Sequence, residues 1–297
     1  MSIVHYTHCP VCKSSDIHFV LSAKDYTVSG TLFQIFECGK CTLRFTQDVP
    51  DLMHIGNYYK SENYISHTNT SKGIINKLYQ KVRNRTMKQK ASIIFQQTGK
   101  QKGNILDIGC GTGTFLHTML SKGWAITGIE PDEDARKNAI DLYGIKALQS
   151  DELFSLKENS FDAITMWHVL EHVHALHDYI NHIKKLLKPD GKIVIAVPNY
   201  TSKDAQIYKE YWAAYDVPRH LYHFSPKAMK DLMELHQLKV VKILPMWYDS
   251  FYVSMLSSKY KNGSTNFAAA GLNGLKSNIN AMQHSENCSS VIYIIEK

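Results

Sequence analysis

Residues 105–114 read ILDIGCGTGT: an apolar run, an acid, then glycines at 109, 111 and 113. The run has the residue types of a buried strand. Glycines in alternation after it predict a tight turn with a bare backbone that a ligand can approach closely. A dinucleotide fingerprint, G-x-G-x-x-G, needs its third glycine where this chain has Thr114. The acid argues the same way, because Asp107 would repel a pyrophosphate and attract an ammonium or sulfonium group.

Outward from this turn, residues 103–199 alternate strand and helix. Strand-like runs are Asn104–Ile108, Trp124–Glu130, Lys146–Gln149, Phe161–Met166 and Lys192–Pro198. Helix-like runs at Thr114–Ser121, Asp132–Leu142 and Glu171–Leu187 separate them, the last ending at a Lys188-Pro189-Asp190-Gly191 turn. Repeated units of this kind predict an α/β fold, a Rossmann-like sheet with helices on both faces and ligands beyond the carboxyl ends of the strands. A helix is expected at 226–237 and strands at 239–244 and 291–296, which makes seven strands, with a loose stretch at 257–290.

The second strand ends in Gly128-Ile129-Glu130, 23 residues after Asp107. An acid there can accept from both hydroxyls of a ribose. One ligand meets both acids: an adenosine whose other arm is a cationic amino acid, which describes S-adenosylmethionine.

These motifs resemble those of the class I S-adenosylmethionine-dependent methyltransferases. ILDIGCGTG resembles their first motif, GIEPD their ribose acid, FDAITMWHVLEHV their fourth motif, and LLKPDGKIVIAVPN the region that follows. With Cys9–Cys41 and DVPRHLYHFS at 216–225, nearly the whole chain is similar to the subgroup with an N-terminal zinc-binding domain. The resemblance implies that Asp107, Gly109, Cys110, Gly111 and Gly113 surround the methionine arm, that Glu130 holds the ribose, and that Asp151 lies near the adenine amine. It implies a small-molecule acceptor, such as a sugar or a quinone precursor.

Trp167 and His168 end the fourth strand, the edge that faces the transferred methyl in such folds. Methyl transfer is an in-line displacement, and a hydroxyl or amine acceptor must also lose a proton. His168 and His172 are the candidate bases, and with Glu171 they share one face if the helix starts this early. Helix capping or positioning is the competing role. His168-Val-Leu-Glu171-His172 also spells H-x-x-E-H, a zinc-protease arrangement, but that motif requires a mid-helix position.

The segment 199–226 is aromatic-rich and follows the fifth core strand, so it is expected to act as a lid. Its Tyr215, Arg219, His220 and His223 are candidate acceptor-binding residues, Arg219 for a carboxylate or phosphate. An internal salt bridge is the alternative for Arg219.

At the other end, Cys9-Pro-Val-Cys12 and Cys38-Gly-Lys-Cys41 are two C-x-x-C pairs separated by 25 residues. Two such pairs complete a tetrahedral four-thiolate site that zinc favours, closed to chemistry and therefore structural. Residues 1–46 are thus expected to form a small zinc-ribbon-like module, followed by a connector and basic helix at 47–102 and the methyltransferase domain at 103–297. Cys110 and Cys288 have no such partners and are expected to pack.

The chain has 297 residues, 44% hydrophobic, with a net charge of +7. It has no run of 18 apolar residues and no signal-peptide pattern, so a cytoplasmic protein is expected. From Asn63 to Leu106 there are nine Lys or Arg residues and no acid, with Lys77, Lys81, Arg83, Arg85, Lys88 and Lys90 among them. They form either a solvated helix face or a surface for an anionic partner. The charge motivates an RNA methyltransferase as the alternative function, and a non-catalytic adenosylmethionine-binding protein is a third. The oligomeric state is not readable.

Overall fold

The computed structural model describes residues 2–59 and 74–297. Tyr64 and the rest of the connector at 60–73 lie outside the described residues. So do the side chains of 74–81 in the basic helix, Lys77 and Lys81 among them.

In chain order the strands and helices begin with β1 (Ile3–Val4), β2 (Ile17–Lys24), β3 (Leu32–Cys38), β4 (Arg44–Thr46) and β5 (Val49–Pro50). Then come α1 (Ile74–Thr98), β6 (Asn104–Ile108), α2 (Thr114–Leu120), β7 (Ala125–Ile129), α3 (Glu133–Tyr143) and β8 (Phe161–Trp167). Next are α4 (Leu176–Leu186), β9 (Leu187–Pro198), α5 (Lys203–Tyr208), β10 (Tyr222–His223) and α6 (Pro226–Leu235). The series closes with β11 (Lys239–Pro245), α7 (Asp249–Asn262), α8 (Phe267–Gln283) and β12 (Ser290–Glu296).

The described chain divides into two compact units. One comprises 74–169, 178–195 and 294–297, the other 2–59, 170–177 and 196–293. Strands β9 and β12 contribute residues to both.

The central sheet runs β11-β12-β9-β8-β6-β7. Its β6 pairs in parallel with both β7 and β8, so the strand order reverses at β6. That reversal opens a crevice beyond the carboxyl ends, where α/β sheets bind ligands. Every residue of β8 is buried, as expected of a strand covered on both faces. Helix α3 is fixed by residues at its ends. The Asp132 carboxylate accepts from the Ala135 N–H at 2.7 Å, and Gly144 closes the helix at φ 66°.

Among the described residues the sheet has six strands, not the expected seven. The run 146–149 is reduced to one parallel bridge, Ile129 to Leu148. Leu148 exchanges two hydrogen bonds with β7, from its N–H to the Gly128 carbonyl and to its own carbonyl from the Glu130 N–H. Lys146 and Gln149 on either side are exposed, so nothing rewards a longer pairing at this edge.

Two further expectations fail. The helix predicted from Glu171 starts at Leu176, and Leu170–His172 form a 3-10 turn. The Glu171 carbonyl accepts from the Leu221 N–H at 2.8 Å, so it is not used by an α-helix. The H-x-x-E-H letters therefore do not sit mid-helix. The loose stretch at 257–290 is largely helical, because its small residues let α7 and α8 approach. A Cβ on Gly274 would come within 2.8 Å of Phe251 Cδ1 and 3.1 Å of its Cα. Asn266 caps α8 by accepting from the Ala269 N–H at 3.0 Å.

The other unit carries a four-stranded sheet, β10-β4-β3-β2, with antiparallel pairings throughout. The aromatic segment 199–226 supplies its core: Tyr200, Tyr208, Trp212 and Tyr215 pack with Phe33, Ile35 and Val253.

At the end of the central sheet opposite the glycine turn, Asp162 ties three strands. Its carboxylate accepts from the Asn104 N–H at 2.8 Å, from Lys100 at 2.6 Å and from Lys188 at 2.8 Å. Burial works to raise its pKa, but these donors overcome it and hold the group at about 2. A depressed carboxylate stabilises the fold above its unfolded pKa, and that contribution is lost as pH falls through about 2. Asp162→Asn is expected to cost about 2 kcal/mol at neutral pH. Denaturant melts should show the gap between variant and wild type closing from about pH 4 down to pH 2.

Candidate active site

The glycine turn links β6 to α2, and backbone conformation requires its glycines. Gly109, Gly111 and Gly113 have φ of 71°, 53° and 75°. At Gly109 a side chain is also blocked, since its Cβ would come within 2.4 Å of Val169 Cγ2. At Gly111 a Cβ would meet nothing within 4 Å, so the backbone there borders open space. The N–H groups of Gly109 and Cys110 both donate to the Ile129 carbonyl, at 2.7 and 3.0 Å, which pins the turn to the tip of β7.

Asp107 and Glu130 stand at the ends of these neighbouring parallel strands, and both are buried. Asp107 lies in register with Gly128 on one side and Thr165 on the other. The Thr165 hydroxyl donates to its carboxylate at 2.5 Å. Burial nevertheless raises Asp107 to about 7, with Thr165 and Lys90 opposing the rise and Glu130 adding to it. Glu130 accepts from the Gly111 N–H at 2.7 Å and the Asp132 N–H at 3.0 Å, one on each oxygen. Its pKa is raised as well, first by burial.

Around these acids stand residues with less obvious sequence signals. The Lys90 ammonium of α1 lies over the Trp167 ring, 4.3 Å from its centroid, and the Phe115 and Trp167 rings meet edge-to-face with centroids 5.6 Å apart. The Trp167 indole N–H is buried and has no acceptor among the described residues. Arg83 donates to the Thr114 hydroxyl at 2.7 Å, and Lys100 is held by Asp162. Three cations of the acid-free stretch are therefore engaged within their own unit, while Arg85 and Lys88 are exposed. Charge pattern gave no sign of this, because it does not say which side of α1 faces the sheet.

Cys110 packs beneath the turn, where a Cβ on Gly128 would come within 2.8 Å of its Sγ. Burial pushes its thiol pKa up. Asp151 is exposed and opens a 3-10 turn, Asp151–Ser155. His168 ends β8 in a left-handed conformation, φ 58°, and is partly buried.

The second unit gathers the remaining candidates. The Nδ1–H of His172 donates to the Arg219 carbonyl at 3.0 Å, with the Tyr59 hydroxyl a second neighbour at 2.9 Å. The Nδ1–H of His220 donates to the Ala214 carbonyl at 2.8 Å, and the two rings meet edge-on at 4.6 Å. Burial, then His220, lowers His172 to about 4, so its ring is neutral near physiological pH. Arg219 is buried and held inside the unit. Asp216 takes its guanidinium at 2.6 and 2.9 Å, Asp25 at 3.2 Å and the Tyr58 carbonyl at 2.9 Å, with the Thr27 hydroxyl a further acceptor. Tyr215 accepts from Arg44 at 3.0 Å and meets the His223 ring edge-on at 5.0 Å. Burial holds the His223 pKa well down.

The four N-terminal cysteines converge. Cys9 and Cys41 sulfurs are 3.5 Å apart, as are those of Cys12 and Cys38, and all four lie within 4.8 Å of one another. Two matching knuckles present them. Lys13 (φ 59°) donates its N–H to the Cys9 carbonyl at 3.0 Å, and Thr42 (φ 61°) donates to the Cys38 carbonyl at 2.9 Å.

A family model described as a methyltransferase domain matches residues 79–243. The ubiquinone biosynthesis O-methyltransferase of Bartonella bacilliformis is 31% identical over 171 residues, covering 52% of this chain and 67% of that protein. Against the mitochondrial enzyme of that name from Bos taurus, 28% identity extends over 57% of this chain and 49% of the relative. Among solved structures, a putative sarcosine dimethylglycine methyltransferase from Galdieria sulphuraria matches with a TM-score of 0.52 at 15% identity, over 73% of this chain and 86% of that one. A phosphoethanolamine N-methyltransferase 2 from Haemonchus contortus, solved with S-adenosyl-L-methionine, matches at 0.50 and 17%, over 71% and 52%. At these identities the structures share the fold.

The turn's dependence on Gly109 is testable. Gly109→Ala combines a left-handed φ with a blocked Cβ and is expected to destabilise the fold by about 1–3 kcal/mol. Gly111→Ala lacks the blocking contact and should cost less. Thermal melts of the two variants that rank the other way would contradict this account.

Proposed function

Because the chain belongs to the methyltransferase-domain family and is an S-adenosylmethionine-dependent methyltransferase, we propose that it methylates a small-molecule acceptor of the quinone-precursor or sugar class. The observation that carries this reading is the pair of buried carboxylates at adjacent strand tips around the bare glycine turn. The residues present fit the donor. Asp107 offers a negative charge to the methionine ammonium and sulfonium, and Glu130 keeps acceptor capacity for ribose hydroxyls beyond its two backbone donors. Gly109, Gly111 and Gly113 let the backbone approach the methionine arm, Trp167 walls it, and Asp151 is assigned to the adenine end. When bound, the sulfonium supplies an activated methyl carbon. The protein orients the acceptor, excludes water and takes up the acceptor's proton.

We assign proton removal to His168, which the strand tip holds partly exposed, in preference to His172, whose neutral ring is a weak base. Tyr215, Arg219, His220 and His223 are proposed to shape the acceptor side, Arg219 by holding its segment in place. The name of the relatives, ubiquinone biosynthesis O-methyltransferase, favours an oxygen as the methylated atom. Arg83, Lys90 and Lys100 of the basic stretch already have partners in their own unit, which weakens the case for RNA.

At the N-terminus we propose a structural zinc site on Cys9, Cys12, Cys38 and Cys41, and with it membership of the subgroup with an N-terminal zinc-binding domain; the convergence of the four sulfurs supports this reading. A tetrahedron with zinc–sulfur bonds of about 2.3 Å has sulfurs about 3.8 Å apart, close to the spacings here. Burial first pushes the Cys38 thiol up, and the neighbouring Cys9 sulfur, then burial, pushes the Cys41 thiol up; a bound dication reverses that balance. Along the chain we propose a zinc module (1–46), a connector with the basic helix (47–102) and a methyl-transfer domain (103–297). Four reduced cysteines fit a reducing compartment such as the cytoplasm.

Calorimetric titration with S-adenosylmethionine tests the donor site. Glu130→Ala is expected to weaken binding at least tenfold in a folded variant, and unchanged affinity would sink the reading. Asp107 attracts a cation only when ionised, so wild-type affinity should rise with pH and level off above about 7. Below that the slope approaches tenfold per pH unit. Methyl release with catechol and hydroxybenzoate acceptors, compared with transfer RNA, then tests the acceptor class.

A further inference from the structure

Helix α8 is turned inside out. Its buried positions are small: Ala270, Gly274, Ser277 and Ala281. Its large apolar side chains, Phe267, Leu272, Leu275, Ile279 and Met282, are between 48% and 76% exposed. The inward face has no room for them, since a Cβ on Gly274 would come within 3.2 Å of the Ser250 carbonyl oxygen of α7. We propose that the outward face of α8 is where a second copy of this chain packs, which makes the protein a twofold dimer.

Leu272, Leu275, Ile279 and Met282 follow one another at intervals of three, four and three residues. That is the 3.5-residue repeat of a seam along which one helix packs on another. With 17 residues, α8 is about 25 Å long, enough for the seam to run over three turns. Five large side chains exposed to this degree present roughly 500 Å² of apolar surface, near the top of what a monomer leaves in one patch. A twofold contact uses the patch twice and reaches the total of about 1,000 Å² that a specific interface requires, before any polar rim is added.

Charge selects the occupant. Lys276 is the one charged residue of α8, and it stands about 100° around the axis from Leu275, at the border of the stripe. The stripe itself is uncharged, as the core of an interface is, and it is its own complement when two copies meet. Helices that lie on a lipid surface carry a cationic face opposite the apolar one. The opposite face of α8 is small and buried, so it has no charge to offer headgroups. The contact uses none of the residues assigned to donor, acceptor or zinc and stands apart from the methyl-transfer reading.

Sedimentation equilibrium on the full chain, with its cysteines loaded with zinc and without donor or acceptor, tests the proposal. Twice the mass of one chain is expected within a range reaching about 100 μM. Leu275→Glu and Ile279→Glu each replace an exposed side chain. Each should weaken the dimer at least tenfold and leave the circular dichroism spectrum and S-adenosylmethionine affinity unchanged. A wild-type chain that stays monomeric over this range would overturn the proposal, including one that instead co-sediments with anionic phospholipid vesicles. A dimer that both substitutions leave intact would overturn it too. Hydrogen exchange on the wild type, diluted through the transition, supplies a readout that needs no variant. Amides of α8 should lose protection as the dimer dissociates, and protection there that ignores dilution would contradict the assignment.

Discussion

A carboxylate buried between two parallel strands has lost most of its water, and the fold must supply other partners. Asp107 is in this position, and much around the glycine turn follows from it. Its register partner Thr165 donates a short hydrogen bond, and Lys90 on α1 adds a positive charge nearby. Burial still dominates, so the group sits near neutrality instead of being firmly ionised. A site in this state gains most from a ligand that brings its own positive charge. That gain is a physical reason for a cationic donor to be chosen over a neutral or anionic nucleotide.

Glu130 meets the same problem differently. Its partners are backbone N–H groups of Gly111 and Asp132, supplied by the turns that follow two adjacent strands. The glycine turn is therefore tied to the acid at the next strand tip, because one of its N–H groups holds the Glu130 carboxylate. Substituting the acid would disturb the turn as well.

The acids and glycines were legible because strand tips and glycine spacing are local patterns. Lys90 and Thr165 were not, since their roles depend on which face of α1 meets the sheet and on the register between β6 and β8. The seventh strand was misread for a related reason: a short run such as 146–149 has strand composition, but an edge with no further neighbour supports only one bridge. Gly, Ser and Asn in 257–290 suggested a loop. In the fold they allow α7 and α8 to approach closely, and Ser277 donates to the buried Asp204 at 2.6 Å.

Arg219 shows how one buried charge can organise a unit. Three segments converge on its guanidinium: Asp25 and Thr27 after β2, the Tyr58 carbonyl, and Asp216 three residues before it. Burial alone would raise Asp25, yet hydrogen bonds from Ser29 and Thr27 together with the Arg219 charge bring it to about 2. Removing any one partner would leave charge buried without full compensation, which is far more costly than losing an exposed ion pair. The stretch between the two cysteine pairs is thus held at both ends of its hairpin, by the four sulfurs at one and by Arg219 at the other. A metal bound to the cysteines would stabilise more than its own two knuckles, because β3 and β4, which flank Cys38 and Cys41, pair onward to β10 beside the histidine-bearing loop.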